Sequence, residues 1–363
     1  MSWLIVFLGF SALIVVHEAG HYFAARATGM RVEKFFLFFG PKLVSVKRGE
    51  TEYGIGVIPL GGYAKISGMN PEEELPPEVV PRAYYRQPVW KRIVVVGAGP
   101  AVNVALAFLI LFFVAFHYPE ADSKIEKVLP DSPAAKSKLQ PGDRLVSVDG
   151  NSYAGLSQEK RHERFAAQIA SHECPGKQVD GCRAETPVTL GVKRSGRLRA
   201  ITVYPNYDSA AKRALVGIEY ATVPAAETAG AAVSFAADKM WMVASGTVHV
   251  FSHIFESEQR KQLSGVVGIS DVGHQVVDFG VYPSLLLLAL VSLSLGLINL
   301  LPILPLDGGH IFWSLVEKLR GKPVSLQVME RASLVGFALV AMLFFLGLNN
   351  DIGRITGEGF NVR

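Results

Sequence analysis

His17-Glu18-Ala19-Gly20-His21, at the end of an apolar run, sets two imidazoles and a carboxylate at metal-ligand spacing. On an α-helix, residues four apart share a face, so both imidazoles can reach one metal ion, with Glu18 beside them to polarise a bound water. The chemistry implied is metal-assisted hydrolysis. Two surface histidines on a helix are the bland alternative. The apolar setting argues against it, because ionisable residues inside a membrane segment are costly and need a functional reason. A catalytic zinc commonly keeps three protein ligands and one open position. Asp307, in Asn299-Leu-Leu-Pro-Ile-Leu-Pro-Leu-Asp307-Gly-Gly-His310, is the candidate third ligand. Pro302, Pro305, Gly308 and Gly309 are expected to break the helix there and present Asp307 from irregular backbone. His249 and His253 repeat the four-residue spacing without an adjacent glutamate and read as interfacial. His117, His162, His172 and His274 read as ordinary histidines. His310, three residues beyond Asp307, is a candidate neighbour of the site.

Composition then says what kind of scaffold must position these groups. The chain has 363 residues, half of them hydrophobic, with mean hydropathy +0.28. The apolar residues gather into a few long runs, the pattern of a polytopic membrane protein with a soluble insert. Four runs approach the roughly 20 residues that a crossing needs: 1–27, 89–117, 283–310 (apolar to about Leu301) and 332–349. The first lacks the basic start and small-residue cleavage site of a signal peptide, and reads as a retained helix. A net charge of +4 is too small to imply nucleic acid. Lys and Arg instead mark topology. Their clustering in 28–88 and between the last two spans predicts that both loops are cytoplasmic, with the N-terminus, the middle region and the C-terminus outside. The metal motif and Asp307 then lie at matching depth near the cytoplasmic side.

Residues 122–205 form a polar block between the second and third spans. Ser123–Leu129 reads as a strand, Ser132-Pro-Ala-Ala as a short helix, Glu159–Ser171 as a helix and Pro187–Val203 as a hairpin. The run Ser132 to Gly150, SPAAKSKLQPGDRLVSVDG, resembles a PDZ domain, whose groove takes a peptide as an added strand. A generic β-rich spacer is the alternative. Cys174 and Cys182 fall in this block. A local disulfide and two free thiols both remain open, and an extracytoplasmic location favours the disulfide. Residues 226–280 read as an amphipathic helix and a connecting segment. Pro71 to Glu78 reads as a solvated charged linker. Arg92 to Val102 superficially matches a dinucleotide fingerprint. Val102 stands at its third glycine, an apolar run follows and no βαβ unit is evident, so that reading is set aside.

HEAGH in the first span and NLLPILPLDGGH in the third resemble the site-2 protease family of intramembrane zinc metalloproteases, in its bacterial RseP-type form with a single PDZ domain. Three further segments are similar to family motifs in the same order: Pro59-Leu-Gly-Gly-Tyr63-Ala-Lys65, Gly97-Ala-Gly-Pro100-Ala-Val-Asn103, and Leu263-Ser-Gly265-Val-Val-Gly268-Ile269 with Val266 where proline is common. The resemblance implies about four transmembrane helices, a β-hairpin sheet within 28–88 that dips into the membrane, and an inserted β-rich PDZ domain. It implies Zn2+ held by His17, His21 and Asp307, with Glu18 catalytic. It also implies that Asn103 and Asn299 lie near the site and hold substrate, and that Gly61, Gly62 and Tyr63 belong to a substrate clamp. The expected substrate is a transmembrane segment of another protein, intact or already shortened, within the bilayer of a bacterial inner membrane. A peptide or substrate tail is expected at the PDZ groove. The rival reading is a membrane-anchored PDZ scaffold with a vestigial metal site, which has no need for Glu18. A transporter would need more spans.

Overall fold

A computed structural model describes residues 2–70, 72–156, 158–253, 256 and 265–357. The chain divides into two compact units, one formed by Met1–Ala115 with Thr228–Arg363, the other by Phe116–Glu227. In chain order the elements are α1 (Ser2–Ala27), β1 (Val32–Arg48), β2 (Thr51–Ile66) and α2 (Val89–Val114). The second unit follows with β3 (Pro119–Val128), α3 (Pro133–Lys136), β4 (Arg144–Val148), α4 (Gln158–Ala170), β5 (Val188–Arg194), β6 (Arg197–Val203), β7 (Asn206–Asp208), β8 (Arg213–Leu215) and β9 (Ile218–Pro224). The chain then returns to the first unit with α5 (Ala229–Ser252), α6 (Val266–Asp278), α7 (Val281–Asn299), α8 (Asp307–Arg320) and α9 (Leu326–Thr356).

Four helices, α1, α2, α7 and α9, are long and apolar enough to cross a membrane. At 1.5 Å per residue, α1 and α2 reach about 39 Å, more than the roughly 30 Å hydrocarbon core. The resulting fold is a polytopic helical membrane protein with a β-rich insert. The Gly-Ala-Gly segment that superficially matched a nucleotide loop lies wholly within α2 rather than at a strand-to-helix turn. The fourth span runs from Leu326 to Thr356, well beyond 332–349 at both ends.

The third span differs from expectation in an instructive way. Its helix stops at Asn299, and Asp307 begins a new helix rather than sitting on irregular backbone. Pro302 and Pro305 lie in the intervening turn, where their missing N–H groups disrupt helix continuation. Gly308 and Gly309 are helical. A Cβ on either would strike the backbone of the turn from Leu300 to Leu304, so these glycines let the first turn of α8 nest against it. α8 ends at Arg320 and is capped by Gly321, whose left-handed φ of +68° suits glycine and whose N–H donates to the Glu317 carbonyl.

Strands β1 and β2 form a bent hairpin. Residues 34–37 pair on one edge with 62–65 and on the other with 52–55, while 42–48 pair with 51–56. Leu43, Val44, Val46 and Val57 on it are all more than half exposed. Such apolar exposure suits a sheet facing lipid rather than water.

The insert has a five-stranded antiparallel sheet in the order β6-β5-β4-β3-β9. It extends beyond 122–205, because β9 pairs with β3 from Pro119↔Pro224 to Val128↔Ile218. Alternate residues Val188, Leu190 and Val192 of β5 point inward with Phe165 and Ile169 of α4 to build its core. Ser195-Gly196, both at positive φ, turns the β5–β6 hairpin. Cys174 and Cys182 are joined by a disulfide. Of the motif at 263–269, Leu263 and Ser264 lie outside the described residues.

Candidate metal centre and active site

His17 and His21 sit on one face of α1, 7% and 9% exposed, because their spacing matches the helical repeat. Asp307 enters from the start of α8. Its Oδ2 lies 3.2 Å from His17 Nε2 and 3.3 Å from His21 Nε2, and the two Nε2 atoms are 3.3 Å apart. His21 Nδ1 donates to the Val95 carbonyl of α2 at 2.9 Å. In the neutral imidazole, this makes Nε2 an acceptor. That lone pair faces a carboxylate oxygen that has no hydrogen-bond partner. Opposed acceptors in a buried site call for a cation. Two imidazole nitrogens and one carboxylate oxygen are a donor set that zinc takes, with one position left for water. Among the described residues, these three are the group of metal-binding side chains whose ligand atoms lie within 4.8 Å of one another.

Close packing from α2 fixes the two rings. A Cβ on Gly99 would overlap His21 and press on His17, and one on Gly20 would strike the Ala98 carbonyl. Glycine at these positions lets α2 lie directly against the imidazoles. The hairpin approaches from another side. Glu18 accepts a hydrogen bond from the Ala64 N–H, and a Cβ on Gly62 would lie 3.3 Å from Glu18 Cγ. Gly61 has φ +103° and passes the Phe39 ring. Tyr63 stacks with Phe36 and Phe39, at centroid separations of 5.5 and 5.7 Å. Tyr22, next to His21, meets Tyr53 through their hydroxyls at 2.5 Å, so the hairpin is anchored to α1 one turn beyond Glu18.

The two asparagines differ. Asn103 is fully buried one turn beyond Gly99, and neither atom of its carboxamide has a partner. Asn299 ends α7, and its amide donates to the Leu295 carbonyl of its own helix at 3.0 Å. His310 lines a cavity on α8 together with Ser314 and Glu317. His249 and His253 lie at the end of α5, away from the triad in sequence, with His253 Nδ1 on the His249 carbonyl. The Val95 carbonyl, the Ala64 N–H and the contacts of Gly99 were invisible in sequence. Backbone groups carry no residue signature, and only the GAGP resemblance marked the segment.

A polytopic helical membrane fold with two buried histidines, a half-buried aspartate against them and a glutamate alongside defines a membrane metallopeptidase. Residues 5–343 match Peptidase family M50, and the chain belongs to that family, the site-2 proteases that its motifs resemble. Its relatives include the zinc metalloprotease Rip1 of Mycobacterium tuberculosis (strain ATCC 25618 / H37Rv), 33% identical over 342 residues, covering 85% of this chain and 83% of the relative. Rip1 of Mycolicibacterium smegmatis is 30% identical over 400 residues, 93% and 94% of the two chains. A provisionally named zinc metalloprotease of Rhizobium meliloti (strain 1021) is 31% identical over 370 residues, 95% and 94%.

Proposed function

We propose that this metalloprotease uses zinc to hydrolyse peptide bonds within transmembrane segments of other membrane proteins, in regulated intramembrane proteolysis. The convergence of His17, His21 and Asp307 on one point among membrane-length helices carries this reading. Zinc, when bound there, supplies Lewis acidity at the scissile carbonyl and acidifies the attacking water. Glu18 takes the proton from that water and passes it to the leaving amine nitrogen. The Ala64 hydrogen bond orients its carboxylate for both tasks. The Val95 carbonyl holds His21 in the tautomer that presents Nε2.

A transmembrane helix hides its carbonyls in backbone hydrogen bonds, so the substrate unwinds locally before attack. The Gly61-Gly62-Tyr63 segment beside Glu18 is placed to receive an unwound strand by edge pairing. Asn103 and Asn299 complete the substrate site in this reading. The unpartnered carboxamide of Asn103 supports it, since a buried polar group without a partner is rare unless it has a function.

The insert acts as a PDZ domain. β9 is an edge strand, and a groove of about 280 Å³ lies between α4 and residues 213–220, lined by His162, Ala166, Ile169, Leu215, Ile218 and Tyr220. An extended peptide or trimmed substrate tail fits such a groove by strand addition. The enzyme lies in a bacterial inner membrane with the metal site near the cytoplasmic face and the insert outside. The basic loops support that orientation, as does the disulfide in the insert, a bond that persists in oxidising compartments.

The test is zinc content and cleavage of a purified model transmembrane substrate. The wild-type chain is expected to hold one zinc and cut within the membrane segment, and Asp307→Ala to lose both. Full zinc and wild-type cleavage in Asp307→Ala would overturn the ligand set.

A further inference from the structure

Asp307 must be delivered to two imidazoles from another helix, and the ligand set alone does not fix where α8 lies along α2. Near the start of α2, Arg92 donates from Nη1 to Glu317 Oε2 at 3.0 Å and from Nη2 to Oε1 at 2.6 Å. The two side chains are 10% and 23% exposed. The guanidinium lies 5.9 Å over the Tyr84 ring, and the Tyr84 hydroxyl is hydrogen-bonded to Ser314 of α8.

Both ends of this pair reach the metal centre. Arg92 is one turn from Val95, whose carbonyl holds His21, and two turns from Gly99, which packs on both imidazoles. Glu317 lies ten residues beyond Asp307 on α8, about 15 Å along the axis. Beside the pair is a cavity of about 480 Å³, walled by Tyr84, Arg92, Leu304, His310, Ser314 and Glu317 among others. The first turn of α8 is held by the Leu300–Leu304 turn, while this cavity leaves His310, Ser314 and Glu317 further along it beside open space.

We propose that Arg92 and Glu317 are positioning residues that lock the register of α8 against α2 and so place Asp307 on the two histidines. This rests on the reading of Asp307 as a zinc ligand. A buried ion pair adds little net stability over an apolar pair of the same shape, because desolvation offsets the attraction. A bidentate fork is directional in a way that an apolar contact is not. An apolar contact in its place holds the helices together and lets α8 slide or turn. Small displacements of a ligand-bearing helix are enough to spoil a metal site.

The experiment uses the full-length chain in detergent, titrated with a zinc chelator, alongside thermal unfolding and steady-state cleavage of a model transmembrane substrate. Arg92→Lys keeps the charge and loses the fork. The double variant Arg92→Met with Glu317→Leu keeps the volume and loses both charges. Both are expected to release zinc at about 10–100-fold lower chelator concentration. Cleavage falls in kcat with KM little changed. The double variant should unfold at the wild-type temperature, which separates positioning from stability. Exchanging the pair, Arg92→Glu with Glu317→Arg, should recover part of the zinc affinity. Wild-type zinc retention in the double variant would overturn the proposal, as would zinc loss that merely tracks a lower unfolding temperature. Asp307→Ala in the same titration identifies the other failure: if it holds zinc like wild type, the ligand reading falls and the positioning proposal with it.

Discussion

In the insert, Asp143 is 1% exposed and fully engaged: Arg194 donates to both carboxylate oxygens at 2.6 Å, and the Gln140 N–H donates at 3.0 Å. In the helical unit, Asn103 is at least as buried and has no partner on either carboxamide atom, and Asp307 Oδ2 faces two imidazoles without a hydrogen bond. Asp149 of the insert likewise takes hydrogen bonds from the Thr189 N–H and Gln168, and pairs with His172. The insert thus uses buried polar groups to staple loops around an apolar core, which is a structural task. Among the described residues the insert leaves scattered buried atoms of Arg161 and His162 without a partner, whereas in the helical unit the unpartnered atoms of His17 and Asp307 belong to side chains that converge on one point. Unmet polar demand that converges on one point, rather than burial, charge or a lone unpartnered atom, is what singles out the candidate site.

Glycine substitutions break this comparison hardest. Gly99→Ala puts a methyl group into both imidazoles, and cleavage is expected to fall by at least about 100-fold, because a displaced catalytic group loses its geometry. In the insert, Gly150→Ala meets no atom within 4 Å and only a positive φ of +80°, costing about 1 kcal/mol of strain. Cleavage assays on the first and unfolding of the second check the contrast. Equal effects on activity would erase it.

The next largest effect belongs to the insert's core. Phe165 is 1% exposed between α4 and the sheet, and Phe165→Ala should destabilise the insert by about 3–5 kcal/mol. Denaturant unfolding or limited proteolysis reads this. Zinc content should stay at the wild-type value, and its loss would show that the two units are not independent in this respect.

The convergence of His17, His21 and Asp307 was legible before the fold, for physical reasons. The histidine spacing fixes a shared helix face whatever surrounds it, and the apolar run excludes a solvated reading. Asp307 could be named because few carboxylates occur at the end of an apolar span. Its presentation was not legible. Gly308 and Gly309 look like helix breakers by propensity, yet tertiary contact with the Leu300–Leu304 turn makes them helical. β9 was missed as part of the insert because its pairing with β3 joins the two ends of the domain, a non-local contact with no local signature. The disulfide and the free thiols both stayed open, the location favouring the bond, until the folded loop brought Cys174 and Cys182 together.

The smallest effect is one of pH. Burial alone would raise the carboxyl pKa of Asp143, but hydrogen bonds from Arg194 and the Gln140 N–H outweigh it and hold the group below its ordinary 3.8. A depressed carboxyl stabilises the fold above the unfolded value, and that contribution is lost as pH falls from about 4 through the folded value. The acid limb of the insert's stability should therefore flatten in Asp143→Asn, measured by denaturant midpoints between pH 5 and 2. An unchanged acid limb would remove Asp143 from the account.

Glu18 separates a protease from a binding-only metal site, because the latter has no need of it. Glu18→Gln keeps the shape and the metal ligands and removes the base. This variant is expected to retain zinc at the wild-type chelator midpoint and to cleave a transmembrane substrate about 10²–10⁴-fold more slowly. Cleavage at the wild-type rate by the zinc-loaded Glu18→Gln chain would contradict the reading of Glu18 as the base.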